Sequence, residues 1–366
     1  RAMEQNAQRE LRSADPQWPV SELMAHVKKA MNFDGPALSF GNCAISHVPQ
    51  QLCIVVGTSG SSGAVKEVGL SLLALVSSAQ SANKYLGAQP GHTWSLLLPL
   101  THIAGLNVLT RSLEVGTEPV DLRNWSGAYP TVDFTAIVPT QLYAALNGDR
   151  NLLNHLVASK AVLVGGAPLS DEIQNQAQRA GINVVTTYGM TETCGGCIYN
   201  GLPLEGVEIE ISDDKRVSIK GSVLADTYIG NESLWRESFS NGWFKTSDLG
   251  RMHQGKLLLE GRSDDVIISG GENISLSAIE LALGSRFNKN AFAAFSLSDP
   301  QWGASLHVAI AGNEFLMEKE IVDFLSDKFG AFAKPKGFLQ VKELPMIGIG
   351  KVDRAKLAQL FTEASH

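Results

Sequence analysis

Cysteine is scarce, with four thiols in 366 residues. That is too few for a disulfide framework and fits a reducing cytosol. Cys194 and Cys197 form a C-x-x-C, but Cys43 and Cys53 do not supply the second ligand pair of a zinc site. Two reduced thiols are expected there. Charge is also sparse, at 18%, and 30 Lys and Arg against 37 Asp and Glu leave a net −7. Such a balance gives no electrostatic reason to expect nucleic acid or an anionic membrane as partner. No apolar run approaches the roughly 20 residues of a membrane span. The opening Arg1-Ala2-Met3-Glu4-Gln5-Asn6 lacks the apolar core of a signal peptide. A cytoplasmic protein of two or three domains, with a sizeable core, is the expectation.

Against these absences stands one dense polar stretch, Gly57-Thr58-Ser59-Gly60-Ser61-Ser62-Gly63-Ala64-Val65-Lys66, directly after the apolar run Leu52–Val56. Glycines let backbone N–H groups approach a ligand closely. The hydroxyls add donors, and a lysine can reach phosphate oxygens. A surface loop is the plainer reading, but four hydroxyls and a lysine exceed what a connection needs. The usual P-loop is excluded, because Ala64 rather than Lys-Ser/Thr follows Gly63.

Along the chain, the first 50 residues are weakly patterned, with a helix expected from Ser21 to Met31, capped by Ser21. Residues 70–86 read as a helix, 93–98 as a strand and 107–113 as a helix. Strands at 135–138, 161–164 and 183–187 then alternate with helices at 140–146 and 170–180, which predicts a parallel sheet with helices on its faces. Ligands bind beyond the C-terminal ends of such strands. Three polar loops are expected at that end: Gly57–Lys66, Gly165-Gly166-Ala167 and Tyr188-Gly189-Met190-Thr191-Glu192-Thr193. From Val207 shorter alternating runs read as a small antiparallel sheet or barrel. Gly261-Arg262-Ser263-Asp264-Asp265 reads as a linker. The remainder reads as a compact α+β unit with helices at 277–283 and 318–329. The expected architecture is therefore a large α/β domain over 1–262 and a smaller α+β domain over 263–366.

Within this frame five residues invite chemistry. Glu192 beside a phosphate loop suggests a Mg²⁺ ligand, since a carboxylate there is repulsive without a cation between. Tyr188 offers a face for a base. If the runs flanking Gly255 form a hairpin, Asp248 and Arg262, each seven positions from it, face each other and suit a ribose diol; a structural salt bridge is the alternative. Lys351, in Pro345-Met346-Ile347-Gly348-Ile349-Gly350-Lys351, can stabilise charge on a carboxylate and an α-phosphate, or simply be a solvated lysine.

Taken in order, these motifs resemble the adenylate-forming superfamily of acyl- and aryl-CoA synthetases, luciferases and peptide-synthetase adenylation domains, from Leu52 to Arg354. The short segment before the loop implies an abbreviated first subdomain. The resemblance implies ATP held by Thr58 to Lys66, Gly165 to Ala167, Tyr188, Gly189, Met190, Thr191, Asp248 and Arg262. It also implies Mg²⁺ on Glu192, a hinge at Asp264, Lys351 as the adenylation lysine with Lys66 and His102 supporting it, and a coenzyme A path past Gly270 and Gly271. The departures are Val65 and Ile347, at positions usually proline and threonine; they bear on loop rigidity rather than chemistry. His102-Ile103-Ala104-Gly105, Arg111 nine positions on, and the run Tyr188 to Tyr199 are similar to short actinobacterial o-succinylbenzoate–CoA ligases of menaquinone synthesis. That similarity implies an acid pocket of His102, Gly105, Gly195 and Gly196, with Arg111 receiving a second carboxylate. Another aryl- or acyl-CoA ligase, a carrier-loading enzyme and a silent nucleotide-binding protein remain the alternatives. The partners expected are small molecules, with a homodimer left open.

Overall fold

The computed structural model describes residues 7–41, 43–59, 65–269, 272–287, 290–300, 303–312, 318–347 and 351–364. Two mixed sheets carry the first two-thirds of the chain. In the seven-stranded sheet, Trp94–Leu96, Phe134–Ile137, Ala161–Val164 and Val184–Met190 run parallel. Phe134–Ile137 and Ala161–Val164 are buried along their whole lengths, as strands covered on both faces must be. The antiparallel pairs of Val184–Met190 with Gly195–Tyr199, and of Gly195–Tyr199 with Leu202–Pro203, close one edge. The sheet is thus mixed rather than purely parallel, because the chain turns back on itself after Met190.

The six-stranded sheet corrects the expectation for Gly57–Lys66. Its strands follow the order Thr227–Tyr228, Val65–Ser71, Leu52–Ser59, Ala37–Phe40, Gln8–Ser13, His47–Pro49. The polar loop therefore neither belongs to the sheet of Ala161–Val164 nor leads straight into a helix. It joins two antiparallel strands, with Thr58 opposite Lys66. The β-branched Val65 and Val68 favour a strand there. The helix begins only at Leu72, capped by Ser71, whose side chain accepts from the Ala74 N–H.

The weakly patterned N-terminal segment is ordered by Arg9. Its buried guanidinium donates to the carbonyls of Ala30, Gly35 and Leu52, stapling a strand, a helix and the strand before the loop. The helix spans Val20–Met31 and begins after Pro19, so Ser21 lies inside it and caps nothing. Two further helices lack a strong sequence signal, Arg150–Ala158 and Arg354–Ala364.

A five-stranded antiparallel sheet follows, built on Val207–Ile211, Arg216–Gly221 and the long strand Trp243–His253. Residues beyond 265 gather around clusters of their own, centred on Ile279, Val308 and Leu325 and on Phe295, Leu339 and Leu357. Arg354 ties these elements together. It pairs with Glu280 at 3.0 Å and Asp265 at 3.5 Å, and its Nε donates to the Ala294 carbonyl. Burial pushes the Glu280 carboxyl up to about 7 against the pull of Arg354. Arg354→Met leaves that carboxylate without its cation and is expected to cost about 3 kcal/mol at neutral pH, the low end for breaking a buried pair. Its folded-state value then rises further above the ordinary 4.5. Below about pH 7 the folded variant and the unaltered protein both hold this proton, so the variant's deficit widens as pH rises past that point, where the unaltered protein releases it first. Urea unfolding at about pH 5.5 and about pH 7.5 checks this; a deficit that does not shrink at the lower pH contradicts it.

Candidate active site

The hairpin Trp243–His253 and Lys256–Arg262 brings Asp248 opposite Arg262, as the spacing predicts, though by a route the spacing did not contain. The turn is the two-residue Gln254-Gly255, both at positive φ (49° and 76°), the geometry that suits strand twist. Centred there, the ladder would set Asp248 against Gly261. A bulge intervenes: Gly250 pairs with Leu259 and Leu249 with Gly261, leaving Glu260 as the extra residue. That single insertion carries Arg262 to Asp248.

Asp248 is buried, 7% exposed, and both its oxygens are engaged. Arg262 donates to Oδ1 at 3.1 Å and the Tyr188 hydroxyl to Oδ2 at 2.6 Å. Burial raises the Asp248 carboxyl and outweighs the opposing pull of Arg262. Arg262 also grips Asp264 in a two-pronged pair at 2.7 and 2.6 Å. Burial opposes the charge on Arg262, but Asp264 and Asp248 hold its affinity for the proton above the ordinary value. Tyr188, Asp248, Arg262 and the expected hinge residue thus form one connected chain.

Tyr188, Gly189 and Met190 lie on the strand Val184–Met190 rather than in a loop, because Gly195–Tyr199 pairs back onto them. A side chain at Gly189 would fall 2.0 Å from the Gly195 carbonyl oxygen, and one at Gly165 would fall 2.2 Å from Thr187 Oγ1. These glycines mark close approaches of backbone around the strand ends. Thr191 to Thr193 form a single 3₁₀ turn. The Cys194 carbonyl accepts from Asn107 Nδ2 at 2.7 Å and Ser78 Oγ at 2.9 Å, which fixes Gly195 and Gly196 against the helix Ile103–Val115. Cys194 and Cys197 are free and wholly buried. Burial pushes both thiols up to about 12, so both stay protonated and inert, as expected.

His102 sits at the N-terminal end of that helix, half-buried, and burial lowers its imidazole below the ordinary value. A side chain at Gly105 would strike the Pro99 carbonyl at 2.3 Å, so the helix crosses the preceding loop closely. Arg111 lies on the same helix but about half a turn out of phase with His102, and the two do not share a face. Its guanidinium is 4% exposed, donates to the Tyr199 hydroxyl at 3.1 Å and lies over the Trp94 ring at 5.1 Å. Among the described residues no carboxylate pairs with it, and its Nε has no hydrogen-bond partner.

Glu192 accepts a hydrogen bond from the Tyr228 hydroxyl at 2.7 Å, while Lys66 Nζ lies 5.0 Å over the Tyr228 ring. Tyr228 was not foreseen from the sequence; its strand is two residues long and carries no periodicity. Among the described residues no group of three or more His, Cys, Asp or Glu could hold a metal. A single carboxylate such as Glu192 is compatible with Mg²⁺, an ion that proteins commonly hold through one or two carboxylates. Lys351 stands on the strand Lys351–Val352, paired opposite Ile347. The expected contacts at Gly60, Ser61, Ser62, Gly63, Gly270 and Gly271 lie outside the described residues; at Ser59 the backbone continues the strand.

The AMP-binding enzyme family matches residues 4–229. Over 334 residues the chain is 36% identical to a probable 2-succinylbenzoate–CoA ligase of Mycobacterium tuberculosis, covering 86% of each. It is 30% identical to the 2-succinylbenzoate–CoA ligase of Escherichia coli, covering 87% of this chain and 71% of that one. Among solved structures, the o-succinylbenzoate coenzyme A synthetase of Bacillus subtilis in complex with AMP superposes with a TM-score of 0.72 at 26% identity, covering 87% of this chain and 72% of that one. ATP-bound MatB of Rhodopseudomonas palustris shares the fold with a TM-score of 0.77 at 19% identity, covering 96% and 84%.

Proposed function

The chain belongs to the AMP-binding enzyme family, and on that premise we propose that it joins o-succinylbenzoate to coenzyme A through an acyl-adenylate. The observation that carries the reading is the 36% identity extending over 86% of both this chain and its mycobacterial relative. In the first half-reaction a carboxylate oxygen attacks the α-phosphorus of ATP. The bond to the β-phosphate breaks, and pyrophosphate leaves. In the second, the sulfur of coenzyme A attacks the acyl carbonyl, its proton passes to solvent, and the bond to AMP breaks.

Each residue then has a task. Asp248 and Arg262 hold the ribose, and the Tyr188 hydroxyl fixes the Asp248 carboxylate. Gly165, Gly166 and Ala167 lie along the base. Thr58 through Lys66 cover the phosphates that depart. Mg²⁺, when bound, neutralises phosphate charge, and Glu192 would hold it. His102, Gly105, Gly195 and Gly196 border the acid, and Arg111 receives its distal carboxylate. Residues 263–366 act as a unit turning at Asp264, bringing Lys351 for adenylation and Gly270 and Gly271 for thioester formation.

A pyrophosphate-release screen over aryl and acyl carboxylic acids, followed by thioester detection with coenzyme A, tests the whole reading. Turnover with a different acid reassigns the substrate, and silence with every acid rejects catalysis. A narrower test is Asp248→Asn. Losing a charged acceptor costs about 2 kcal/mol, so KM for ATP is expected to rise roughly 30-fold with KM for the acid unchanged. A KM for ATP equal to that of the unaltered protein removes Asp248 from the nucleotide site.

A further inference from the structure

Tyr228 touches two of the motifs above and belongs to neither. Its strand, Thr227–Tyr228, is added to the edge of Val65–Ser71, with Tyr228 paired to Val68. The ring is 2% exposed and packs edge-on against Trp235 at 5.2 Å. Trp235 in turn stacks on Phe239 and Phe244, each at 5.5 Å. Such an aromatic stack leaves the tyrosine little rotational freedom. Burial raises the phenol well above its ordinary value, and the Glu192 carboxylate adds to this. The hydroxyl therefore stays protonated and donates throughout the physiological range.

From this geometry we infer that Tyr228 is a positioning residue which holds Glu192 and Lys66 at a fixed separation. Its hydroxyl orients the carboxylate and its ring face seats the ammonium. The inference rests on the nucleotide-binding reading proposed above. The 2.7 Å bond occupies Glu192 Oε1, which fixes the carboxylate plane and directs the other oxygen. The cation–π contact at 5.0 Å restrains a lysine whose four-carbon stem is otherwise free. One rigid ring thereby sets the relation between a cation that meets phosphate and an anion that meets a metal. Without it, two opposite charges on flexible stems would pair with each other or with solvent.

Two variants separate these functions. Tyr228→Phe removes the hydroxyl and keeps the ring; Tyr228→Leu removes both. Binding is read by calorimetry without turnover, using ATP across a Mg²⁺ titration and, separately, AMP. For Tyr228→Phe the Mg²⁺ concentration that half-saturates the enhancement of ATP binding is expected to rise about tenfold, with AMP affinity unchanged. For Tyr228→Leu, ATP affinity without Mg²⁺ is expected to fall a further three- to fivefold, roughly the value of an exposed cation–π contact. Glu192→Gln supplies a control: adding Tyr228→Phe to it should change Mg²⁺ dependence no further. An unaltered Mg²⁺ requirement in Tyr228→Phe overturns the inference. So does an equal loss of AMP and ATP affinity, which would mark the tyrosine as packing alone. Should Tyr228→Phe not fold, Glu192→Gln must still show the tenfold shift, or the link to Glu192 is lost. If the unaltered protein binds neither ATP nor AMP, the nucleotide-binding reading itself has failed, an outcome distinct from the others.

Discussion

Lys351→Ala is expected to cut pyrophosphate release from acid and ATP by on the order of 10³-fold, while capture of supplied acyl-AMP by coenzyme A changes no more than about threefold. In the transition state, charge gathers on the attacking carboxylate and on the α-phosphate oxygens. A positioned ammonium in a water-poor site is worth several kcal/mol there, and in the reading proposed above Lys351 has turned away before the thioester forms. Local structure supports the assignment. Lys351 sits opposite Ile347 in a short hairpin, and Arg354 opens the next helix while gripping Asp265 and Glu280. The lysine is thus joined by two intervening residues to a charged network beside Asp264. In the reading proposed above, a rotation at that point would carry the lysine with it. Coupled pyrophosphate detection measures the first half-reaction, and single-turnover capture of synthetic acyl-AMP measures the second. Equal losses in both would sink the assignment.

Arg111→Ala should raise KM for a dicarboxylate acid roughly 100-fold, about 2.7 kcal/mol and within the range that truncating one partner of a buried charge pair costs. For a monocarboxylate analogue lacking the distal group, little change is expected. Burying an unpaired guanidinium is costly, and Arg111 has only the Tyr199 hydroxyl and the Trp94 face among the described residues. A substrate carboxylate would supply the missing anion. Arg111→Lys should restore only part of the affinity, because a point charge cannot match a carboxylate with two parallel bonds. Thermal melts of each variant separate this from a folding defect. If both acids lose affinity equally, Arg111 supports the fold beneath Gly195–Tyr199 and does not read the substrate.

Much of the chemistry was legible because each motif is short and local. The Asp248–Arg262 pair followed from turn symmetry, although turn and bulge contributed compensating offsets of one residue. Helix Glu318–Phe329 and strand Ala161–Val164 occupy the expected bounds, since periodicity and clear stops define both. What escaped depends on distant parts of the chain. Nothing within Gly57–Lys66 reveals that its strands belong to a different sheet from Ala161–Val164. Tyr188 reads as a loop residue until Gly195–Tyr199 pairs with its strand. Tyr228 gains its meaning from Glu192, Lys66 and Trp235, which converge only after three elements have packed.

The hairpin that faces Asp248 with Arg262 also limits how the chain length can drift. Residues added at the exposed Gln254–Gly255 tip lengthen the hairpin and leave the pair aligned. Loss of Glu260, which has no cross-strand partner in the ladder, straightens the ladder and keeps the pair aligned, though it removes the ion pairs with Lys215 and Arg251. Loss of any one residue between Leu249 and His253 slides the other arm by one position and turns Asp248 and Arg262 to opposite faces. One arm of this hairpin is therefore free to vary in length while the other is not, and the asymmetry comes from a single unpaired residue.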